Sequence, residues 1–300
     1  MWKPALAQTR LSARLKNATM QPLATLPDGA WSEVRGIFTD VDDTLTTDGA
    51  VTADALQALD ELADAGLTVI PVTGRPIGWS EPFARAWPVR AIVAENGAVA
   101  WVASGDVDHQ MSPQRLMGNR EQLSKLYQQD ATTRTRNLAQ LQRTAARVLR
   151  EVPGATLARD SAGRETDIAI DHGEFTHLDA ARIDEVVRIM RDEGLNATVS
   201  SIHINGWIGA HDKWQGACWI ARELLGIDLP AQVERWVFVG DSTNDQVMFR
   251  HFTHSVGVAY IRRFEQQLRF KPRYVTRGER GAGFAEVART LLAQVSRPRA

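Results

Sequence analysis

The sequence predicts an α/β protein: a doubly wound parallel-sheet core with an inserted α+β domain. Short apolar runs at residues 34–41, 67–72, 91–94, 236–239 and 255–258 alternate with helically spaced segments such as 52–65 and 213–225. The runs are apolar on both faces, as strands of a parallel sheet covered by helices on each side must be. Strand and helix taken in turn argue for crossover connections and a doubly wound sheet. The rhythm breaks once, in the middle of the chain.

Each element has a local cause. Thr52 is placed to cap the first helix, and Gly66 to stop it. Residues 103 to about 134 are polar, and 137–152 read as a long amphipathic helix. A β-like pair follows around 155–159 and 166–170, then a helix over 178–193 and strands over 198–204. Hairpin strands and helices grouped apart from the alternating core mark an insertion over 103–205, leaving 31–102 and 206–300 as the core. Residues 1–30 show little pattern, with Pro4, Pro22 and Pro27 scattered among them, and read as a poorly ordered surface extension. Met20 reads as a candidate for the true start of translation.

Composition narrows the classes. With 300 residues and a formal net charge of -1, the chain makes no electrostatic case for nucleic acid or an anionic membrane as main partner. An anion must then be gripped by a local site. Cys218 is the only cysteine, so no intrachain disulfide exists, and its apolar setting favours a buried structural thiol over a reactive one. No stretch has the length of a membrane-spanning helix, and the N-terminus lacks a secretory pattern. A cytoplasmic setting is the expectation. Nine tryptophans could stack on sugars, but Trp219 and Trp236 lie in apolar contexts and read as core.

The chemistry sits where strands end. Asp40-Val41-Asp42-Asp43-Thr44 follows the first strand run, and strand geometry puts Asp40 and Asp42 on one side. Two such carboxylates repel unless a cation lies between them or one takes a proton. Alone, this segment reads equally as an acidic loop capping the next helix. Val72-Thr73-Gly74-Arg75-Pro76 ends the second strand with a hydroxyl, a flexible glycine and a helix start, which is either an anion cradle or ordinary turn chemistry. Gly240-Asp241-Ser242-Thr243-Asn244-Asp245 places a second acidic group at an equivalent strand tip, with helix capping as the plain alternative. Lys213 beside Asp212 would by itself be an ordinary solvated lysine.

Taken together, in this order and spacing, the four segments resemble the haloacid dehalogenase superfamily of phosphotransferases. Asp40 to Thr44, Thr73, Lys213 and Gly240 to Asp245 match its four motifs over residues 34–283. The insertion resembles the type C2 cap of the sugar-phosphatase-like branch, which includes sucrose-phosphate phosphatase and phosphomannomutase. Ala94-Glu95-Asn96-Gly97-Ala98 resembles that branch's Asn-Gly-Ala turn. Asp43 departs from the family's more frequent glycine, and between facing water and tuning a metal it is expected to face water.

The resemblance implies a Rossmann-like core and a magnesium-dependent hydrolase. Asp40 would be the nucleophile that forms an aspartyl phosphate, and Asp42 the acid and then the base. It further implies magnesium held by the Asp40 carboxylate, the Asp42 carbonyl and the Asp241 carboxylate, with Asp245 orienting its water. Lys213, Thr73, Gly74 and Asn244 would bind the phosphate. The cap would read the rest of a small phosphorylated metabolite, first a sugar phosphate, through Asp167 and His203, with Arg164, Glu165, Asn205 and Trp207 as further candidates. A phosphohexomutase, a phosphatase of nucleotides or pyrophosphate, and a non-catalytic sugar-phosphate sensor are the alternatives. The protein is expected as monomer or homodimer.

Overall fold

The computed structural model describes residues 19–103 and 122–295. Six strands, all paired in parallel, form the central sheet. These are β1 (Gln21–Pro22), β2 (Gly36–Thr39), β5 (Thr68–Pro71), β13 (Trp236–Gly240), β14 (His254–Gly257) and β15 (Tyr274–Val275), in spatial order β1-β15-β14-β13-β2-β5. The small hairpin β3 (Thr46–Thr47) and β4 (Ala50–Val51) stands just after the first strand tip. Beyond β5, a parallel bridge from Val72 to Val93 leads to β6 (Ala91–Ala94), which continues antiparallel into β7 (Val99–Ala103) and β8 (Leu123–Tyr127).

Alternation along each strand divides the core into two layers. Ile37, Val69 and Val237 face α1 (Ala53–Asp64) and α8 (Arg280–Val295) through Leu59, Leu62, Phe284 and Leu291. Their neighbours Phe38, Ile70 and Phe238 face α5 (Lys213–Leu225) and α7 (Gln246–His251) through Trp219, Ile220, Met248 and Phe249. Helix α2 (Ile77–Ala86) lies over β6 and β7, and the one-turn α6 (Leu229–Gln232) follows α5. Gly66, at φ 75°, ends α1 as expected, whereas Thr52 occupies the N-cap position without a side-chain bond.

The inserted unit is a second layer pair with its own core. Strands β9 (Thr156–Leu157), β10 (Asp167–Asp171), β11 (Asn196–Val199) and β12 (His203–Trp207) form an antiparallel sheet in the order β11-β12-β10-β9. Ile168, Ile170 and Ile204 on one face pack on Leu141, Val148, Val186 and Ile189 of α3 (Ala131–Glu151) and α4 (Ala180–Asp192). The register pairs Asp167 with Trp207, Ala169 with Asn205 and Asp171 with His203, so the other face is polar.

Several expectations need correction. The helix expected at 137–152 begins at Ala131, because the Asp130 carboxylate accepts from Thr133 N and caps it. The insertion does not begin at 103. Residues 104–121 lie outside the described residues, and β8 pairs with β7 while Leu123, Leu126 and Tyr127 pack on the main core, so the cap starts after β8. Residues 1–18 also lie outside the described residues. Residues 19–30 are not a loose extension: Met20 and Leu23 are buried and β1 joins the sheet. Cys218 is only half-buried, yet burial, followed by Asp212 and Asp228, pushes its thiol up to about 12, which disfavours the thiolate.

Candidate active site

Three strand ends converge at the carboxyl edge of the sheet, where open parallel sheets leave a crevice. Asp40 follows β2, its N–H bonded to Val239 O, and Asp241 follows β13. Each of Asp40, Asp241 and Asp245 offers a carboxylate oxygen, and these atoms lie within 4.8 Å of one another. All three are buried.

Lys213 supplies the positive charge. Asp212 caps α5 by accepting from Gln215 N at 2.8 Å, which starts the helix so that Lys213 points back into the crevice. Its Nζ donates to Asp40 Oδ1 and, at 2.7 Å, to Asp245 Oδ1. Burial works to lower the lysine pKa, but Asp245 and Asp40 overcome it and raise it. The other oxygen of Asp245 accepts from Asp241 N at 2.9 Å and Ser242 N at 3.3 Å, which fixes the turn carrying Asp241. Asn244 is held in that turn by the Ser242 hydroxyl at 2.9 Å.

The cluster fits a hard divalent cation. Asp241 Oδ2 is buried and has no hydrogen-bond partner among the described residues. Burial, then the charges of Asp40 and Asp245, push the Asp241 carboxyl well above its ordinary range. One lysine shared among three buried carboxylates leaves negative charge that oxygen-liganded cations satisfy. Burial likewise raises Asp40, against the lowering effect of Lys213.

Thr73 and Gly74 lie at the neighbouring tip. Thr73 Oγ1 accepts from Arg75 N at 2.9 Å, which tightens the turn. The Gly74 carbonyl accepts from two cap side chains, Arg164 at 2.9 Å and Asn205 at 3.2 Å. A Cβ on Gly74 would lie 3.2 Å from Asn205 Oδ1, so the cap presses directly on this turn.

The remaining candidates have different surroundings from those expected. Asp42 accepts from Arg75 Nε at 3.0 and 3.1 Å through both oxygens. Asp43 does not face water: it is buried at φ 54° and paired with Arg280 at 2.9 Å. The hairpin β3–β4 folds back and brings Asp43 against the start of α8, which sequence spacing could not show. Asp167 and His203 both lie on the polar cap face but are engaged by protein. Asp167 accepts from Arg164 at 2.8 and 2.9 Å and from Asn205 at 3.3 Å; burial first, resisted by Arg164, raises it to about 7. His203 Nε2 meets Glu174 at 2.9 Å. Trp207 is buried with Nε1 donating to His211 O.

Sequence reasoning missed the residues that join cap to core. The Arg75 guanidinium, besides holding Asp42, reaches Asp160 at 3.0 Å and Glu174 at 2.9 Å, both on the cap. Burial alone would raise Glu174, but His203 and Arg75 hold it down at about 2. Glu95, fully buried, accepts from Ile77 N at 3.0 Å, Glu165 N at 3.1 Å, Thr166 N at 2.6 Å and the Thr166 hydroxyl. Thr243 Oγ1 donates to Val199 O at 2.6 Å. Arg75 lay within the second motif and Glu95 within the Glu-Asn-Gly turn, but their cap partners are 70 or more residues away and left no local signal.

Comparisons with known proteins bear on part of the sequence and on the fold. Residues 37–137 match the family model of haloacid dehalogenase-like hydrolases. No curated protein matches the sequence. A Thermoplasma acidophilum protein superposes with a TM-score of 0.62 at 16% identity, over 86% of this chain and 98% of its own. The Synechocystis sucrose-phosphatase, solved with sucrose and phosphate, gives 0.58 at 13% identity over 86% and 98%. The C-terminal domain of the C. albicans trehalose-6-phosphate phosphatase gives 0.60 at 14% over 93% and 100%. At these identities the likeness is one of fold.

Proposed function

We propose that this chain, a phosphatase of the haloacid dehalogenase-like family, hydrolyses small phosphate monoesters, sugar phosphates first, through an aspartyl phosphate on Asp40 with magnesium as its ion. The observation that carries the reading is the buried cluster of Asp40, Asp241 and Asp245 with Lys213 bonded into it. Sucrose- and trehalose-phosphate phosphatases among the structural neighbours support a sugar phosphate.

In this reading an Asp40 oxygen attacks phosphorus and the bond from phosphorus to the leaving oxygen breaks. Asp42 gives that oxygen its proton. Asp42 then takes a proton from water, whose oxygen attacks the same phosphorus, and Asp40 and orthophosphate are released. An aspartate suits the role because it is ionised at neutral pH once a cation offsets its surroundings. Magnesium, held by the Asp40 carboxylate, the Asp42 carbonyl and the Asp241 carboxylate, with Asp245 orienting its water, would neutralise charge between nucleophile and phosphate. Lys213, Thr73 and the Gly74 N–H donate to the remaining phosphoryl oxygens, and Asn244 steadies that shell. Asp167 and His203 would reach a substrate by exchanging their partners Arg164 and Glu174.

Phosphate release from p-nitrophenyl phosphate, with magnesium and then with EDTA, tests the reading. The wild type should turn over only with magnesium, and Asp40→Asn should fold, by circular dichroism, yet be inactive. Near wild-type turnover by Asp40→Asn would show that the nucleophile is misassigned.

A further inference from the structure

Beside Asp42 a cavity of about 350 Å³ opens between core and cap. Because Asp42 must meet the leaving oxygen in the mechanism above, the rest of the ester lies in this cavity, and the inference rests on that reading. The cavity walls are unevenly charged. Asp42, Asp43 and Asp48 enter from the core and Glu174 from the cap, against the guanidiniums of Arg75 and Arg280.

Neither cation is spare. Arg75 is bonded to Asp42, Glu174 and Asp160. Arg280 is paired with Asp43 at 2.9 Å and Asp48 at 2.6 Å. Four carboxylates facing two guanidiniums leave a net wall charge of −2, or −1 when Asp42 carries the proton it must deliver. Just outside, the exposed Arg159 stacks with its guanidinium 3.7 Å from the centre of the Phe175 ring, while Asp160 is bonded to Arg75 and Arg164. The wall offers acceptors for hydroxyl groups and, from the cap, the ring of Phe175, 52% exposed, whereas the Tyr260 ring of the core is buried against Arg263 and Arg280. Among the described residues both cations of the wall itself, Arg75 and Arg280, are paired, and the neighbouring Arg159 is engaged with the Phe175 ring.

We propose that this cavity is an anion-excluding site for the leaving group. It takes phosphate esters of uncharged or amine-bearing sugars and polyols, and it rejects esters whose leaving group bears a second acidic group. A carboxylate or second phosphate brought into a partly enclosed cleft of like charge should cost roughly tenfold or more in kcat/KM.

Matched substrates test it on the full chain. Glucitol 6-phosphate and 6-phosphogluconate differ at the far end by a hydroxymethyl against a carboxylate. Glucose 6-phosphate and glucosamine 6-phosphate differ by a hydroxyl against an ammonium. The uncharged polyol ester should exceed the acid by about tenfold or more in kcat/KM, and the amine should at least equal the hydroxyl. The first gap should narrow with added salt and in Asp48→Asn. Asp48 sits at φ 51°, which asparagine also adopts, so that variant keeps its turn. Equal turnover within the matched pairs, a preference for the acid, or a panel in which only p-nitrophenyl phosphate reacts overturns the proposal. Loss of magnesium-dependent hydrolysis of p-nitrophenyl phosphate itself would sink the catalytic reading and this proposal with it.

Discussion

Replacing Glu95 by alanine should loosen the cap from the core. The fully buried carboxylate accepts from three backbone N–H groups and one hydroxyl, and only the Ile77 N–H belongs to the core. Alanine strands all four donors, at about 1–3 kcal/mol for each buried group left unpaired. Two effects work the other way. Burial raises the Glu95 pKa, so the wild type bears a desolvation cost that alanine relieves. Water can also enter the vacated volume and recover part of the bonding. With both offsets the net loss should be about 3 kcal/mol, below the low end of the gross figure. Glu95→Gln keeps the volume but turns an amide toward converging donors, and should lose about 2 kcal/mol. Urea unfolding followed by tryptophan fluorescence measures both, with each transition fitted separately because two lobes need not unfold together. If both variants stay within about 0.5 kcal/mol of wild type, the size of an ordinary surface change, Glu95 does not hold the seam.

Lys213→Met should lower turnover roughly 10²–10³-fold, since it removes a donor aimed at the phosphoryl site; phosphate release within a few-fold of wild type would contradict that role. Asp167 has its folded pKa raised to about 7 from 3.8, so its contribution to stability is fully present below about pH 4 and lost as pH rises through about 7. The stability difference between wild type and Asp167→Asn should therefore fall between about pH 4 and 7 and level off above that, by urea midpoints, and a rise would refute the assignment. Gly216→Ala puts a Cβ 2.5 Å from Gly97 Cα, so it should cost about 2 kcal/mol or more by displacing α5 against the Asn-Gly turn. Cys218 should react with a disulfide reagent in the native state far more slowly than in urea, as its thiol is pushed up to about 12.

The core strands were legible because their apolar runs are continuous and end in acidic or small residues. Asp40 and Asp241 were marked by strand ends, whereas Lys213, by itself an ordinary solvated lysine, could be named only from the resemblance carried by the four segments together. Strand β8 was not legible. Its segment Leu123-Ser124-Lys125-Leu126-Tyr127 is half-buried and polar in part, with Lys125 lying 4.9 Å over the Trp101 ring, a contact that only the folded pairing with β7 provides. The polar face of the cap sheet was visible in the alternation of His203, Asn205 and Trp207. What each would meet was not, because Glu174, Asp160 and Gly74 approach from loops and turns distant in sequence. Asp43 shows the limit most clearly: its partner Arg280 enters from the other end of the chain.

Strand β1 pairs on one side with β15 and on the other has no neighbour among the described strands. It is two residues long and ends in Pro22, a residue that lacks an N–H to extend a ladder. The sheet therefore closes on a margin too short and too poor in donors to recruit another chain. A variant shortened past Gln21 and Pro22 would bare Tyr274 and Val275, and should show its defect first as self-association on concentration.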